Sequence, residues 1–152
     1  MLERVVRLNA DYARAIDDDR LEDWPGFFTE KCLYKVTSAE NHRRGLEVGV
    51  IYADTNGMLR DRVASLRKAN IYERQTYRHL IGLPAIVATE GEVTRAETPF
   101  LVVRIMRDGT MDIFATGRYL DALVDDGGTL RLRERVVVCD SSRFDTLLAI
   151  PL

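Results

Sequence analysis

The first part of the chain places its apolar residues at helical spacing. In residues 2–16 they fall on one face, which predicts an amphipathic helix whose buried side carries Leu2, Val5, Val6, Tyr12, Ala13 and Ile16. The acidic run 17–19 ends this helix and caps a shorter one that carries Leu21 and Trp24. The Pro-Gly pair that follows Trp24 closes the second helix.

The next stretch changes period twice. A strand is predicted at about 31–38, with one face formed by Cys32, Tyr34 and Val36. Residues 38–45 are a polar loop, and the segment VGVIYAD (48–54) is a short strand. A third helix is predicted from residue 55 to about 70, with inward positions Leu59, Val63 and Leu66.

From Tyr77 onward the pattern is that of long strands separated by turns. The predicted strands are residues 77–89, divided by a bend at Gly82 and Pro84, then 92–106, 111–124 and 129–141. An Asp-Gly pair at 108–109 marks a hairpin, and the DDGG segment marks the next turn. In the last strand, two leucines alternate with three arginines: Leu130 and Leu132 against Arg131, Arg133 and Arg135.

Helices followed by a mainly antiparallel set of long strands predict an α+β fold in one domain, residues 1–152. Strands of this length with Gly and Pro at bends favour a strongly curved sheet that wraps around the helices as a cone. Trp24, Phe27 and Phe28 lie where such a cone would be closed. We expect them to plug it, although the same aromatic residues could roof a ligand pocket.

Composition excludes several classes of function. The chain has 152 residues and a net charge of −2, so it lacks the basic excess of nucleic-acid-binding proteins. It contains no apolar run long enough to span a membrane, and its charged N-terminal stretch is unlike a signal peptide. Cys32 and Cys139 lie in apolar segments, as expected for buried free thiols in a reducing cytoplasm. The protein is therefore predicted to be cytoplasmic.

Neither a metal site nor a complete catalytic set is evident. Two histidines and two cysteines lack the paired spacing of a Rieske cluster, and His42 stands beside two arginines that disfavour a cation. Acid–base candidates for the cone interior are Tyr12, Tyr34, Tyr52, Asp54 and His79. For these residues, core packing of the tyrosines, helix capping by Asp54 and a structural or interface histidine are the favoured alternatives.

Two segments are typical of a protein interface. Residues 67–83 mix arginine and tyrosine, which are enriched at the energetic centres of interfaces. The apolar stretch FDTLLAIPL would fray in water unless it docks in a groove. The residues predicted to supply subunit contacts are Arg67, Tyr72, Arg74, Tyr77, Arg78, His79, Leu147, Leu148, Ile150 and Leu152.

Several longer segments carry a family resemblance across the whole chain. They include DWPGFFTEKCLYKVT, NHRRGLEVGVIYAD, YERQTYRHLIG and the closing RVVVCDSS and DTLLAIPL. With them the sequence resembles the small (beta) subunits of aromatic-ring-hydroxylating dioxygenases, and among these the terephthalate type. The resemblance implies a cystatin-like or NTF2-like cone with no catalytic residue and no metal ligand of its own.

The resemblance also implies partners and cofactors. A large (alpha) subunit would carry the Rieske [2Fe–2S] cluster and a mononuclear Fe(II), would receive electrons from NADH through a reductase, and would assemble as α3β3. The family reaction is cis-dihydroxylation of an aromatic ring. Two rival hypotheses remain: an isomerase or dehydratase acting alone, which needs a linked acid–base set open to solvent, and a ligand-binding module, which needs an open apolar cavity.

Overall fold

The computed structural model describes residues 1–46, 49–69, 75–141 and 150–152. Three α-helices and one 3-10 helix precede or interrupt the first strands: α1 Leu2–Asp17, the 3-10 helix Leu21–Phe27, α2 Ala39–Arg43 and α3 Asn56–Lys68. The strands are β1 Phe28–Ser38, β2 Ile51–Ala53, β3 Gln75–Ile81, β4 Ala85–Glu90, β5 Val93–Met106, β6 Met111–Asp126 and β7 Thr129–Cys139. This order confirms the predicted α+β class.

The described strands form one mixed sheet in the order β2-β1-β7-β6-β5-β3, with β4 also paired to β5. The pairing of β1 with β7 is parallel, and every other pairing is antiparallel. β3 and β4 pair with successive parts of β5, because the chain bends between them at residues 82–84. The predicted bend and both predicted hairpin turns are thus confirmed.

Helix α1 lies inside the curve of this sheet. It contacts both β3 and β7, which are separated by two other strands, so the sheet curls around the helix. Its buried side presents Val5, Leu8, Tyr12 and Ile16 to the core. α3 adds Leu59 and Val63 from the other side of the 3-10 helix. The predicted buried face of α1 is confirmed at Val5, Tyr12, Ala13 and Ile16 but is wrong at Leu2 and Val6, which are 44% and 41% exposed near the start of the helix. In α3, Leu59 and Val63 are buried as predicted, and Leu66 is partly buried.

Two β-bulges decide which side chains point into the cone. Between β5 and β6 the register shifts so that Phe114 has no partner, and between β6 and β7 the same happens at Arg133. A bulge inserts one residue and so exchanges the inward and outward positions of the strand beyond it. In β7 the inward positions are therefore even-numbered before Arg133 and odd-numbered after it.

Local differences from the sequence-based prediction have physical causes. The segment 38–45 contains the short helix α2, because Ser38 accepts a hydrogen bond from the Asn41 amide at 3.1 Å and caps it. Likewise α3 is capped by Thr55, which accepts from the Met58 amide at 3.2 Å, so the predicted capping role of Asp54 is wrong. The first strand begins at Phe28 rather than 31.

Candidate functional site: the interior of the cone

Aromatic side chains fill the wide part of the cone. Trp24 packs edge-on against Tyr34, with ring centroids 5.0 Å apart, and against Phe28 at 5.8 Å. Tyr12 lies edge-on to Tyr119 at 6.1 Å. All five rings are buried, whereas Phe27 is half-buried and contacts the Tyr12 ring. Edge-to-face packing of this kind adds to the stabilisation from burial alone.

The last residue of the sequence, Leu152, is seated among these rings. Its carbonyl oxygen accepts hydrogen bonds from the hydroxyls of Tyr12 at 2.7 Å and Tyr34 at 3.1 Å. The Leu152 amide also approaches the Tyr34 hydroxyl at 3.1 Å as a donor. The Trp24 indole N–H donates to the Tyr12 hydroxyl at 3.1 Å, so one polar chain joins the indole to the peptide.

Burial keeps the tyrosine hydroxyls of the cone protonated. Desolvation raises the pKa of Tyr12 and raises those of Tyr34 and Tyr119 well above their usual value. The hydroxyls are therefore hydrogen-bond donors at every physiological pH. They are suited to holding a carbonyl oxygen and are poor general bases.

A charged network crosses the cone beyond these rings. Arg135 of β7 stands directly opposite Asp121 of β6 in the sheet and donates from Nε and Nη2 to its two carboxylate oxygens, each at 2.8 Å. Nη2 also donates to Asn9 Oδ1 of α1 at 2.6 Å. Asn9 in turn donates to the Thr98 hydroxyl at 3.3 Å. The network ties the first helix to the middle of the sheet.

The Arg135 guanidinium is completely buried and is held between two aromatic faces. Its Cζ atom lies 4.3 Å from the centroid of the Tyr12 ring and 4.0 Å from that of Tyr119. Burial opposes the charge, but the neighbouring Asp121 carboxylate outweighs it, so the pKa of Arg135 lies above its usual range. Unbroken alternation would put Arg135 on the face opposite Leu130 and Leu132, and the bulge at Arg133 brings it to the buried side instead.

A second buried pair joins the end of α1 to the edge strand β3. Asp17 accepts from the His79 backbone amide at 2.8 Å, and its other oxygen lies 2.6 Å from His79 Nδ1. The side chains are only 3% and 0% exposed. This is a linked acid–base pair, but it does not open to solvent. The feature required for an enzyme acting alone is therefore incomplete at this position.

The other acid–base candidates separate. Tyr12, Tyr34 and His79 point into the cone, while Tyr52 and Asp54 are exposed on and after β2. Both cysteines are buried free thiols, and desolvation raises their pKa values, to about 11 for Cys32 and about 12 for Cys139. Within the described ranges, no group of three or more His, Cys, Asp or Glu side chains could hold a metal ion. No helix in that part of the chain is long and apolar enough to cross a membrane.

A sequence profile described as "Ring hydroxylating beta subunit" matches residues 11–146. The chain belongs to this family. It is 49% identical over 149 residues to the terephthalate 1,2-dioxygenase terminal oxygenase component subunit beta 1 of a Comamonas species, covering 98% of this chain and 97% of that one. Identity to the anthranilate 1,2-dioxygenase small subunit of Burkholderia cepacia is 41%, with 97% and 92% covered.

The fold comparison agrees with the family assignment. The beta subunit of a putative aromatic-ring-hydroxylating dioxygenase from Novosphingobium aromaticivorans superposes with a TM-score of 0.91 at 42% identity, covering 99% of this chain and 96% of that one. The resemblance stated from sequence is confirmed, and so is the NTF2-like cone. The relatives' names place this chain in an oxidoreductase family whose members are subunits of larger enzymes.

The structure of this beta subunit distributes the predicted interface residues unevenly. Tyr77, His79, Ile150 and Leu152 are buried within the chain's own core, because the inward face of β3 and the cone interior take them up. Arg78 is exposed on the opposite face. The remaining predicted positions Tyr72, Arg74, Leu147 and Leu148 lie outside the described residues.

Arg67 of the beta subunit is engaged within the chain. Its guanidinium pairs with Glu22 at 2.7 and 2.9 Å, with the Asp19 carboxylate at 2.8 Å and with the Asp19 carbonyl at 2.7 Å. Asp19 has a positive φ of 59°, a strained conformation for a residue with a side chain. Arg67 thus fastens the end of α3 to the turn between α1 and the 3-10 helix, and this accounts for its position without a partner subunit.

The outer face of the beta subunit's sheet carries apolar side chains that composition alone did not indicate. Leu80, Met111 and Ile113 are 55%, 68% and 67% exposed. β5 places half-buried apolar residues between them, because register pairs Leu80 with Leu101, Ile113 with Val103 and Met111 with Ile105. We call these six residues the outer-face patch. Arg78 adjoins it through its register partner Val103.

Proposed function

We propose that this chain is the non-catalytic, structural small subunit of a terephthalate-type ring-hydroxylating dioxygenase, located in the cytoplasm. The observation that carries the proposal is the 49% identity to a terephthalate 1,2-dioxygenase beta subunit over 98% of the chain. In the assembled enzyme, a large subunit would hold the [2Fe–2S] cluster and the mononuclear Fe(II), and a reductase would deliver electrons from NADH. The expected reaction is cis-dihydroxylation of an aromatic dicarboxylate.

The interior of the cone supports a scaffold role for this chain. The hydroxyls of Tyr12 and Tyr34 are engaged with Leu152, and the Asp17–His79 pair is closed to solvent. A catalytic acid or base needs contact with the proton that it moves, and neither group offers it. The substrate would therefore be held by the large subunit.

The outer-face patch supports a contact role in an α3β3 assembly. Contiguous exposed apolar surface is uncommon on proteins that act alone and typically marks an interaction site. An arginine at its border, such as Arg78, is a typical anchor in such interfaces. We therefore assign the patch and Arg78 to contacts with the other subunits, in place of the buried residues Tyr77, His79 and Leu152.

Co-expression with the large subunit tests the proposal. We expect the small chain purified alone to contain no iron. Co-expression should give a complex that contains iron and oxidises terephthalate, with a mass of roughly 200 kDa, as expected for three α–β pairs in closed cyclic symmetry. Ile113→Asp should weaken assembly, because it buries a charge in the contact. Val50→Asp is the matched control: Val50 is also exposed, at 51%, next to β2 at the other end of the sheet.

Two results would contradict the subunit role, and a third would contradict the assignment of the contact to the outer-face patch. Failure of the two chains to associate would remove the subunit role. Ring hydroxylation by the large subunit at full rate in the absence of this chain would remove the structural requirement. Equal assembly of the Ile113→Asp and Val50→Asp variants, and of Arg78→Ala, would leave the subunit role intact but move the contact away from the outer-face patch.

A further inference from the structure

The contacts of Leu152 resemble those of a bound ligand more than those of a loose chain end. Two tyrosine hydroxyls in the cone make three hydrogen bonds to the main-chain amide and main-chain oxygen of Leu152, and the Leu152 side chain is completely buried. Pro151 and Ile150 before it are buried as well. No described strand or helix includes these three residues, and the hydrogen bonds that hold Leu152 come from the side chains of Tyr12 and Tyr34.

The receiving groups belong to three separate parts of the chain. Tyr12 comes from α1, Trp24 from the 3-10 helix and Tyr34 from β1. The Tyr12 hydroxyl is oriented by the Trp24 N–H, which donates to it and leaves its own proton directed at the Leu152 carbonyl. Donors fixed in this way before a ligand arrives are the usual basis of a specific small-ligand site.

We propose that the cone of this protein is a binding site for a short peptide-like ligand with a branched aliphatic side chain, and that the chain occupies this site itself with Ile150–Leu152. The Tyr12 and Tyr34 hydroxyls recognise the main-chain oxygen of the leucine, and the surrounding rings enclose its aliphatic group. The site is independent of the subunit contacts assigned above, since it lies inside the cone and not on the outer face.

Trp24 reports on this site without a label. It is the single tryptophan of the chain, it is completely buried, and it is one hydrogen bond away from the group that holds Leu152. Removal of the segment should therefore shift its emission to longer wavelength and increase its quenching by acrylamide. A ligand that refills the site should reverse both changes.

The first experiment uses the full chain. Leu152→Asp would put a carboxylate among buried rings and should expel the segment, which raises quenching of Trp24 and lowers Tm by roughly 5–20 °C. Leu83→Asp introduces the same charge at a side chain that is 75% exposed, and it should leave Trp24 unchanged. Equal Trp24 quenching in both variants would overturn the proposal.

The second experiment supplies the ligand separately. N-acetyl-Ile-Pro-Leu added to the Leu152→Asp variant should restore the buried emission of Trp24 saturably, with a Kd on the order of 1 mM. N-acetyl-Ile-Pro-Ala should restore it less, and Tyr34→Phe in the same background should weaken binding roughly 2- to 12-fold. A saturable response that ignores both changes, or no response to any peptide, would show that the cone is only a packed core.

Discussion

Asp121 and Arg135 provide the sharpest test of how this cone is held together. Both side chains have no exposed surface, and two hydrogen bonds of 2.8 Å join them. Asp121→Asn removes the carboxylate that accepts two hydrogen bonds from Arg135 and leaves a buried guanidinium without that negative partner. Breaking one side of a buried ion pair costs about 3–5 kcal/mol, because the remaining charge has lost both water and its partner.

That loss is large for a domain of this size. Typical stabilities are about 5–15 kcal/mol, so Asp121→Asn would remove at least a fifth of the free energy of unfolding and in a marginal case all of it. For a chain of about 150 residues, this corresponds to a Tm roughly 6–20 °C lower. Arg135→Met should cost a similar amount, since it leaves the Asp121 carboxylate and Asn9 without their donor.

A double substitution separates the charge from the packing. Asp121→Leu with Arg135→Met replaces both partners by apolar groups and should lose less stability than Asp121→Leu or Arg135→Met alone, since each single change leaves one charged partner buried without the other. The coupling energy of this cycle should be at least about 3 kcal/mol. Urea unfolding followed by Trp24 fluorescence gives the four free energies. Glu97→Gln serves as the exposed control, because Glu97 pairs with Arg118 across β5 and β6 at 3.6 Å with both side chains open to solvent.

The Glu97→Gln control shows how small a change in the free energy of unfolding an ordinary surface ion pair produces. Exposed pairs contribute about 0–1 kcal/mol, so Glu97→Gln should change the free energy of unfolding by no more than that. If Asp121→Asn costs as little as Glu97→Gln, the network contributes nothing beyond an ordinary surface pair. If the double substitution costs the sum of the two single ones, Asp121 and Arg135 do not stabilise each other, and their shared burial has another cause.

Two further predictions concern the surface clasp and the centre of the sheet. Arg67 lowers the pKa of Glu22 to about 2, so the contribution of Glu22 to the free energy of unfolding is complete above its ordinary pKa of 4.5 and is lost as pH falls towards 2. The difference in Tm between wild type and Glu22→Gln, worth at most about 1 kcal/mol, should therefore disappear over that interval. A difference that persists at pH 2 would exclude the ion pair as its cause. Gly117→Ala should lower the free energy of unfolding in urea by about 1–3 kcal/mol, because the added Cβ would lie 2.0 Å from the Val138 carbonyl oxygen. The control is Gly26→Ala, whose Cβ would meet nothing within 4 Å and which should leave stability unchanged. Equal stability of the two variants would mean that the sheet adjusts at Gly117 without an energetic cost.

Elements defined by local chemistry could be predicted from the sequence. The helices α1 and α3, the bend at residues 82–84 and the Asp-Gly turn each depend on residues close together in the chain, and the structure confirms them. The face of α1 is confirmed except at Leu2 and Val6, which are exposed. The parallel pairing of β1 with β7 joins distant segments and could be inferred only as part of a mixed sheet. Alternation of polar and apolar residues does not specify which strand lies beside which.

The buried arginine shows where alternation fails. Arg131, Arg133 and Arg135 share one face of an ideal strand, opposite Leu130 and Leu132. One unpaired residue at Arg133 reverses the facing of everything after it, so Arg135 lies inside while Arg131 is only half-buried on the other side. The bulge could not be predicted from the residue at its position, because Arg133 is neither glycine nor proline.

In β3, alternation separates the residues that the interface prediction grouped together. Period two places Tyr77 and His79 on one face and Arg78 and Leu80 on the other, and the structure follows this division. The interface prediction used only the composition of the segment, so it assigned residues of both faces to one contact surface. Its inner face satisfies the core and the Asp17 carboxylate, and its outer face carries the exposed residues.

The interior of the cone and the outer face of the sheet differ in whether their groups already have partners within the chain, and this difference bears on the function of the chain. Inside the cone, Arg135, Asp121, Asn9 and the hydroxyls of Tyr12 and Tyr34 bond to other parts of the same chain, which stabilises one arrangement and leaves these groups occupied. An active site requires the opposite, with polar groups held ready for a substrate. The outer face leaves apolar area in water at a cost of roughly 25 cal/mol for each Å², and that cost is recovered only when another surface covers it. Under the function proposed above, contact with another subunit recovers the cost of the exposed outer face, and the interior network keeps the sheet in shape for that contact.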